Sequence, residues 1–156
     1  ADDGEVTLVI AGAPGDASAE LDRALGALRP SAAERVVRLG RVDDDAKHWL
    51  LRRASVLAYP SLDEGFGFPI VEAQLAGTPV VASDVGAVSE IGGEGVHLVA
   101  VGDTAALAAG IRRVLDDGVL RLGLVEAGNR NARRFSWDAT AAGLIDLYRT
   151  AVGGVS

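Results

Sequence analysis

Two carboxylates frame the part of this sequence best suited to chemistry. Between Ser61 and Glu72 the chain reads Ser61-Leu62-Asp63-Glu64-Gly65-Phe66-Gly67-Phe68-Pro69-Ile70-Val71-Glu72. Two glycines allow a sharp turn and a close approach of backbone to a ligand. Pro69 is suited to the first position of a helix, and Gly77 to its end. A helix start presents N–H groups without intrahelical partners and the positive end of the helix dipole, which together suit a diphosphate. Glu72, placed at the end of the first helical turn, can accept two hydrogen bonds from a vicinal diol such as a ribose. Glu64, on the loop, can face a sugar hydroxyl or a developing positive charge. The same features also occur without a ligand: a Gly-Phe-Gly turn before a helix is common, and an early helical carboxylate often serves only the dipole. The residues by themselves leave both readings open.

The surrounding elements must place this segment. Short apolar runs predict strands at Val6–Ala11, Arg35–Leu39, Val56–Tyr59, Val80–Ser83 and His97–Val101. Helices are predicted at Ser18–Leu28, Asp43–Ala54, from Pro69 to Gly77, from Asp103 or Thr104 to Asp116, at Val119–Arg134 and at Trp137–Val152, with a short turn at Ser89–Ile91. Strands that alternate with helices, and are apolar almost throughout, predict a parallel sheet covered on both faces. Ligands of such sheets bind beyond the carboxyl ends of the strands. Those positions here are Gly12–Asp16, Gly40–Asp43, Ser61–Phe68, Asp84–Ala87 and Gly102–Thr104, and the third is the richest in chemistry.

Composition narrows the classes of function. The 156 residues suffice for one domain, 1–156, and 49% of them are apolar. With no cysteine, disulfide and thiolate chemistry are excluded. A net charge of -7 argues against a broad nucleic-acid surface. No apolar run is long enough for a transmembrane helix. The acidic start, Ala1-Asp2-Asp3-Gly4-Glu5, does not read as a signal peptide. The absence of methionine suggests an excerpt or a processed chain. His48 and His97 are separated and unpaired, so no metal site is expected. No serine lies in a Gly-x-Ser-x-Gly elbow, which argues against a hydrolase triad. Trp49 and Trp137 read as core anchors, the helical arginines as solvated charge, and Gly153–Ser156 as a frayed tail.

The segment from Tyr59 to Ala73 closely resembles the signature of the group 1 retaining glycosyltransferases of the GT-B fold: two glutamates eight positions apart around a Gly-Phe-Gly turn. Ala76–Ala87 resembles that family's next strand and loop, and Glu90 its following glutamate. Val37–Val42 resembles the strand that meets the base, and Phe135-Ser136-Trp137 with Leu147-Tyr148 its closing helix. The likeness spans about residues 6 to 150. It implies a Rossmann-like three-layer α/β/α fold with a mostly parallel sheet, and the donor-binding C-terminal half of a hexosyltransferase that acts with retention. By the same resemblance Glu72 would bind ribose hydroxyls, and Glu64 would contact the transferred sugar as the catalytic residue. The backbone of Gly65, Phe66, Gly67 and Phe68 would hold sugar and phosphate, and Arg41 and Val42 would line the base pocket.

The implied donor is a UDP-, GDP- or ADP-sugar, with no bound metal, in the cytoplasm. Contact with a membrane, where the full-length protein makes any, would come through an N-terminal acceptor domain that these residues do not include. The family's first C-terminal strand, and the Arg and Lys after it that grip the diphosphate, are also missing. The resemblance therefore implies a gap or a partner-supplied strand in the sheet, and little or no turnover by this chain alone. The alternative is a nucleotide-sugar-binding module without catalysis, or a scaffold fragment.

Overall fold

The computed structural model describes residues 6–15 and 17–153. They form two compact units, divided between Lys47 and His48.

The first unit is built on two parallel strands, β1 (Leu8–Ala11) and β2 (Val36–Gly40), paired from Leu8 with Val36 to Ala11 with Gly40. Helix α1 (Ser18–Gly26) and a one-turn helix α2 (Pro30–Ala33) connect them. An ion pair between Asp22 and Arg38 ties α1 to β2. Helix α3 (Asp44–Arg53) starts in this unit, where the Asp43 carboxylate accepts from the Ala46 N–H at 2.8 Å and so closes one of its orphan donors. The sequence did not predict α2, which is too short for any periodicity. It also predicted β1 as a buried strand, whereas Leu8 and Val9 are exposed.

The second unit has three strands, β3 (Leu57–Tyr59), β4 (Val80–Ser83) and β5 (Val96–Val99), in the order β3-β4-β5 and all parallel. Helices α4 (Phe68–Ala76), α5 (Gly86–Gly92), α6 (Thr104–Asp116), α7 (Gly118–Ala132) and α8 (Trp137–Gly153) complete it, with a 3-10 turn at Gly93–Gly95. The strand alternation sorts its core. Val80 and Ala82 face one side and pack with Leu51 of α3, Ile70 and Ala73 of α4, and Val88 of α5. Val81 faces the other side and packs with Val114 of α6 and Leu124 of α7. Helices thus cover both faces, the three-layer α/β/α arrangement expected of near-continuous apolar strands.

Among the described residues the strands form two sheets, of two and three strands, rather than one continuous sheet. Two further expectations are corrected. Trp49 and Trp137 are not core anchors: both are largely exposed, and Trp49 instead stacks under the Arg53 guanidinium, 5.5 Å from its ring centre. The expected turn at Ser89–Ile91 is a helix of seven residues. Gly153, expected to open the tail, instead ends α8; the rest of that tail, residues 154–156, and Asp16 of the first loop lie outside the described residues. No helix among the described residues is long and apolar enough to cross a membrane.

Candidate functional site

The loop from Pro60 to Gly67 leaves the carboxyl end of β3 and feeds α4. Its end is set by Gly67, whose φ of 95° and ψ of 42° lie in the left-handed region, where a side chain at this position would be strained. Phe68 and Pro69 then occupy the first helical turn. The Ile70 N–H donates to the Gly67 carbonyl at 3.0 Å, and no side chain caps the helix. The helix begins one residue before the expected Pro69, so Glu72 opens the second turn rather than closing the first. Glu72 is half-buried.

Phe66 anchors the loop. Its ring lies 4.4 Å from that of Phe68 and 6.0 Å, edge to face, from that of Phe135. Together with Val71, Ile91 and Ala132 it joins a small apolar cluster. Aromatic pairs of this kind add about 0.5–1.5 kcal/mol beyond simple burial. Arg134 stands over the Phe135 ring at 5.4 Å. The Phe66 side chain is therefore structural, and what the loop offers a ligand at this position is backbone.

Glu64 is held by two hydroxyls. The Tyr59 phenol and the Ser61 hydroxyl both donate to its Oε1 atom, the latter at 2.8 Å. Hydrogen bonds from Tyr59 and then Ser61 push the Glu64 carboxyl below the usual range, because both favour the charged form. Burial, then the bond to Glu64, pushes the Tyr59 phenol up to about 12. At neutral pH the site therefore pairs a carboxylate with a protonated phenol. Among the described residues nothing engages the other oxygen, Oε2. The sequence reading missed this pair: Tyr59 reads as a strand end and Ser61 as a turn residue, and only the path of the loop brings them to Glu64.

A second missed feature braces α4 from behind. Gln74, in the middle of the helix, is 2% exposed. Its amide donates to the Gly92 carbonyl at 2.7 Å and accepts from Asn131 of α7 at 2.8 Å. Asn131 also donates to the Ile91 carbonyl at 2.6 Å and accepts from Arg134 at 2.9 Å. The elements close up tightly here: a Cβ on Gly95 would fall 2.4 Å from the Gly128 Cα. A buried polar network with every member partnered fixes the elements that share it. This one ties α4, the helix that carries Glu72, to α5 and α7. A glutamine within the apolar run of α4 was the available signal.

The other expected positions divide between the units. Glu64, Gly65, Phe66, Gly67, Phe68 and Glu72 all belong to the second unit, on the loop and helix at the carboxyl end of β3. Arg41, exposed, and Val42, half-buried, follow β2 in the first unit. Gly86 and Ala87 open α5 beyond the end of β4. Among the described residues no three His, Asp or Glu side chains are grouped so as to hold a metal ion.

Known proteins resemble this chain in sequence and fold. Residues 1–117 match the family model described as "Glycosyl transferases group 1". The chain is 44% identical over 115 residues to a phosphatidyl-myo-inositol mannosyltransferase of Mycobacterium leprae, covering 72% of this chain and 31% of that protein. It is 37% identical over 154 residues to a D-inositol 3-phosphate glycosyltransferase of Salinispora tropica, covering 95% of this chain and 32% of the relative. Among solved structures, that of Anabaena HepE in complex with UDP and glucose superposes with a TM-score of 0.80 at 26% identity, over 93% of this chain and 41% of that one. The chain thus spans about a third of the length of the curated relatives it matches. Family model, relatives and fold agree with the resemblance carried by the Glu64–Glu72 segment, and the chain belongs to the group 1 glycosyltransferases of the GT-B fold.

Proposed function

We propose that this chain is the donor-binding, C-terminal part of an enzyme that moves a hexosyl group from a nucleotide diphosphate sugar to an acceptor with retention. The observation that carries this reading is the loop itself: a carboxylate held by two hydroxyls, followed at once by a helix start that no side chain caps. In this reading Glu72 accepts from the ribose hydroxyls. Backbone N–H groups of Gly65 to Phe68, with the positive end of the α4 dipole, face the sugar and its diphosphate. Glu64 accepts from a hydroxyl of the transferred sugar. Arg41 and Val42 meet the base, largely through backbone groups.

The reaction breaks the bond between the anomeric carbon and the diphosphate, so negative charge grows on the departing phosphate. Donors aimed at that charge lower the barrier; Pro69 has no N–H and that of Ile70 is taken by the Gly67 carbonyl, so in this reading the donors are the N–H groups of Gly65 to Phe68. The resemblance assigns cationic side chains to the same task, so turnover is to be measured with the full-length protein. No metal is needed in this scheme, because backbone dipoles and those cations take the phosphate charge. The names of the curated relatives share an inositol-bearing acceptor, which makes inositol compounds the first acceptors to try with the full-length protein. A cytoplasmic location fits this use of nucleotide sugars.

Calorimetric titration of the chain with UDP, GDP and ADP tests the reading. One of the three should bind, and Glu72→Ala should weaken that binding by about tenfold or more, as expected for loss of charge-assisted hydrogen bonds. Absence of binding to all three would count against a donor site.

A further inference from the structure

Two side chains next to the proposed sugar contact have no assigned part in it. Tyr59 is the last residue of β3 and packs its ring against the core that contains Ile70 and Val80. That anchors the phenol to the sheet rather than to the loop. Ser61 is two residues further on, where the loop begins. Both hydroxyls converge on one atom, Glu64 Oε1. A loop glutamate without such partners samples several rotamers, and fixing it on ligand binding costs side-chain entropy, up to about 1.5–2 kcal/mol for a residue of this length. A glutamate gripped through one oxygen from a rigid strand has already met that cost. Its second oxygen then has a set position and no competitor among the described residues. The two bonds also determine what Oε2 can do. Each donor favours the charged carboxylate, so Glu64 is an acceptor and not an acid.

We infer that Tyr59 and Ser61 are positioning residues of the donor site: they clamp Glu64 through Oε1 so that Oε2 is presented, charged and oriented, to a hydroxyl of the donor's sugar. This rests on the proposed donor site and adds to it a division of labour. In that reading the nucleotide is held by groups other than Glu64. The Tyr59–Ser61 clamp acts only on the sugar, so its loss should separate sugar affinity from nucleotide affinity.

The experiment uses Tyr59→Phe, Ser61→Ala and the double variant of the chain. Tyr59→Phe keeps the ring in the core and removes only the hydroxyl, so the fold is retained and the melting temperature is a direct check of that. Two quantities are read. The first is the titration of the Glu64 carboxyl, followed by 13C NMR in the unliganded chain. The second is the sugar increment: the ratio of affinities for a hexose conjugate of UDP, GDP or ADP and for the matching free nucleotide. The clamp predicts that the Glu64 titration moves up toward the ordinary range in each single variant and furthest in the double. It predicts a sugar increment reduced about fivefold to tenfold in the double variant, the scale of one ordinary hydrogen bond, with free-nucleotide affinity unchanged. The remaining increment should fade at a higher pH than in the wild type, a shift that a merely structural role would not produce.

An unchanged Glu64 titration in the double variant would overturn the clamp. So would an intact sugar increment in the double variant while Glu64→Gln abolishes it. Equal loss of sugar and free-nucleotide affinity would reduce the pair to a structural role. If the wild type binds no nucleotide while Glu64 still titrates low and responds to Tyr59→Phe, the donor reading fails and the sugar role fails with it, leaving only a local contact.

Discussion

The two sheets of this chain are written in nearly the same alphabet but are buried to very different extents. In β4, Val80, Val81 and Ala82 are fully buried. In β1, whose run Val6–Ala11 is as β-branched and apolar, Leu8 is 49% and Val9 42% exposed. The difference lies in what surrounds each strand. β4 has a neighbour on either side and helices packed against both faces. β1 has one paired neighbour, and neither α1 nor α2 contributes a buried residue. Apolar patterning states what a strand requires around it. It does not guarantee that the same 156 residues supply it. Glu64, with its two hydroxyl partners, and the braced α4 lie in the well-buried unit.

The most severe way to test this contrast is to remove the same kind of side chain from each unit. Ile70→Ala empties a fully buried position in the second unit's core and should cost about 2–5 kcal/mol in urea unfolding. Leu8→Ala should cost under about 1 kcal/mol, since half of that side chain already meets water. Equal losses would break the comparison.

A finer test concerns glycines. Gly95→Ala drives a Cβ to within 2.4 Å of the Gly128 Cα and 2.7 Å of the Gln74 amide nitrogen. It should destabilise by about 1–3 kcal/mol through overpacking and loosen α4 with it. Gly65→Ala has open space around its Cβ, so thermal unfolding should change by less than about 0.5 kcal/mol, while nucleotide affinity falls if backbone approach at Gly65 matters. Loss of stability without loss of affinity at Gly65 would place the ligand elsewhere.

Acid titration sharpens the site half of the comparison. The Glu64 carboxyl is held below the usual range in the folded chain by Tyr59 and Ser61. Its contribution to stability is therefore complete above the unfolded glutamate range and is lost as pH falls through the lower folded value. Thermal unfolding of Glu64→Gln should consequently show a shallower loss on acidification than the wild type. Tyr59 adds the opposite edge: with its phenol pushed up to about 12, its contribution holds below pH 10 and fades as pH rises toward 12. The smallest effect is expected on α8, where Trp137 is 88% exposed. Trp137→Ala should change stability by no more than about 0.5 kcal/mol.

Much of the fold could be read before the structure because its signals are local. β4 occupies the expected Val80–Ser83. α6 starts behind Asp103, whose carboxylate accepts from the Ala106 N–H as an N-cap should. Gly77 ends α4 in the left-handed conformation expected of a helix stop. What escaped the reading depended on partners distant in sequence or on surroundings. Gln74 and Asn131 are 57 residues apart, and nothing local joins them. Trp49 and Trp137 have the chemistry of core residues and lack a surface to pack on. α5 is bounded by Gly86 and Gly92, poor helix formers, so its length was understated. At the site, the two carboxylates, the glycines and the helix start were legible from residue type and spacing. The hydroxyl pair on Glu64 was not, because a strand end and a turn serine acquire that role only when the loop folds back over them.

The central claim, that the loop and the head of α4 hold a nucleotide diphosphate, is most directly tested by amide chemical-shift mapping of the chain during titration with UDP, GDP and ADP. With whichever nucleotide binds, the account predicts the largest shifts at the N–H groups of Gly65, Phe66, Gly67 and Phe68, accompanied by Glu72. Saturable binding with those amides unmoved, and the shifts concentrated elsewhere, would contradict it.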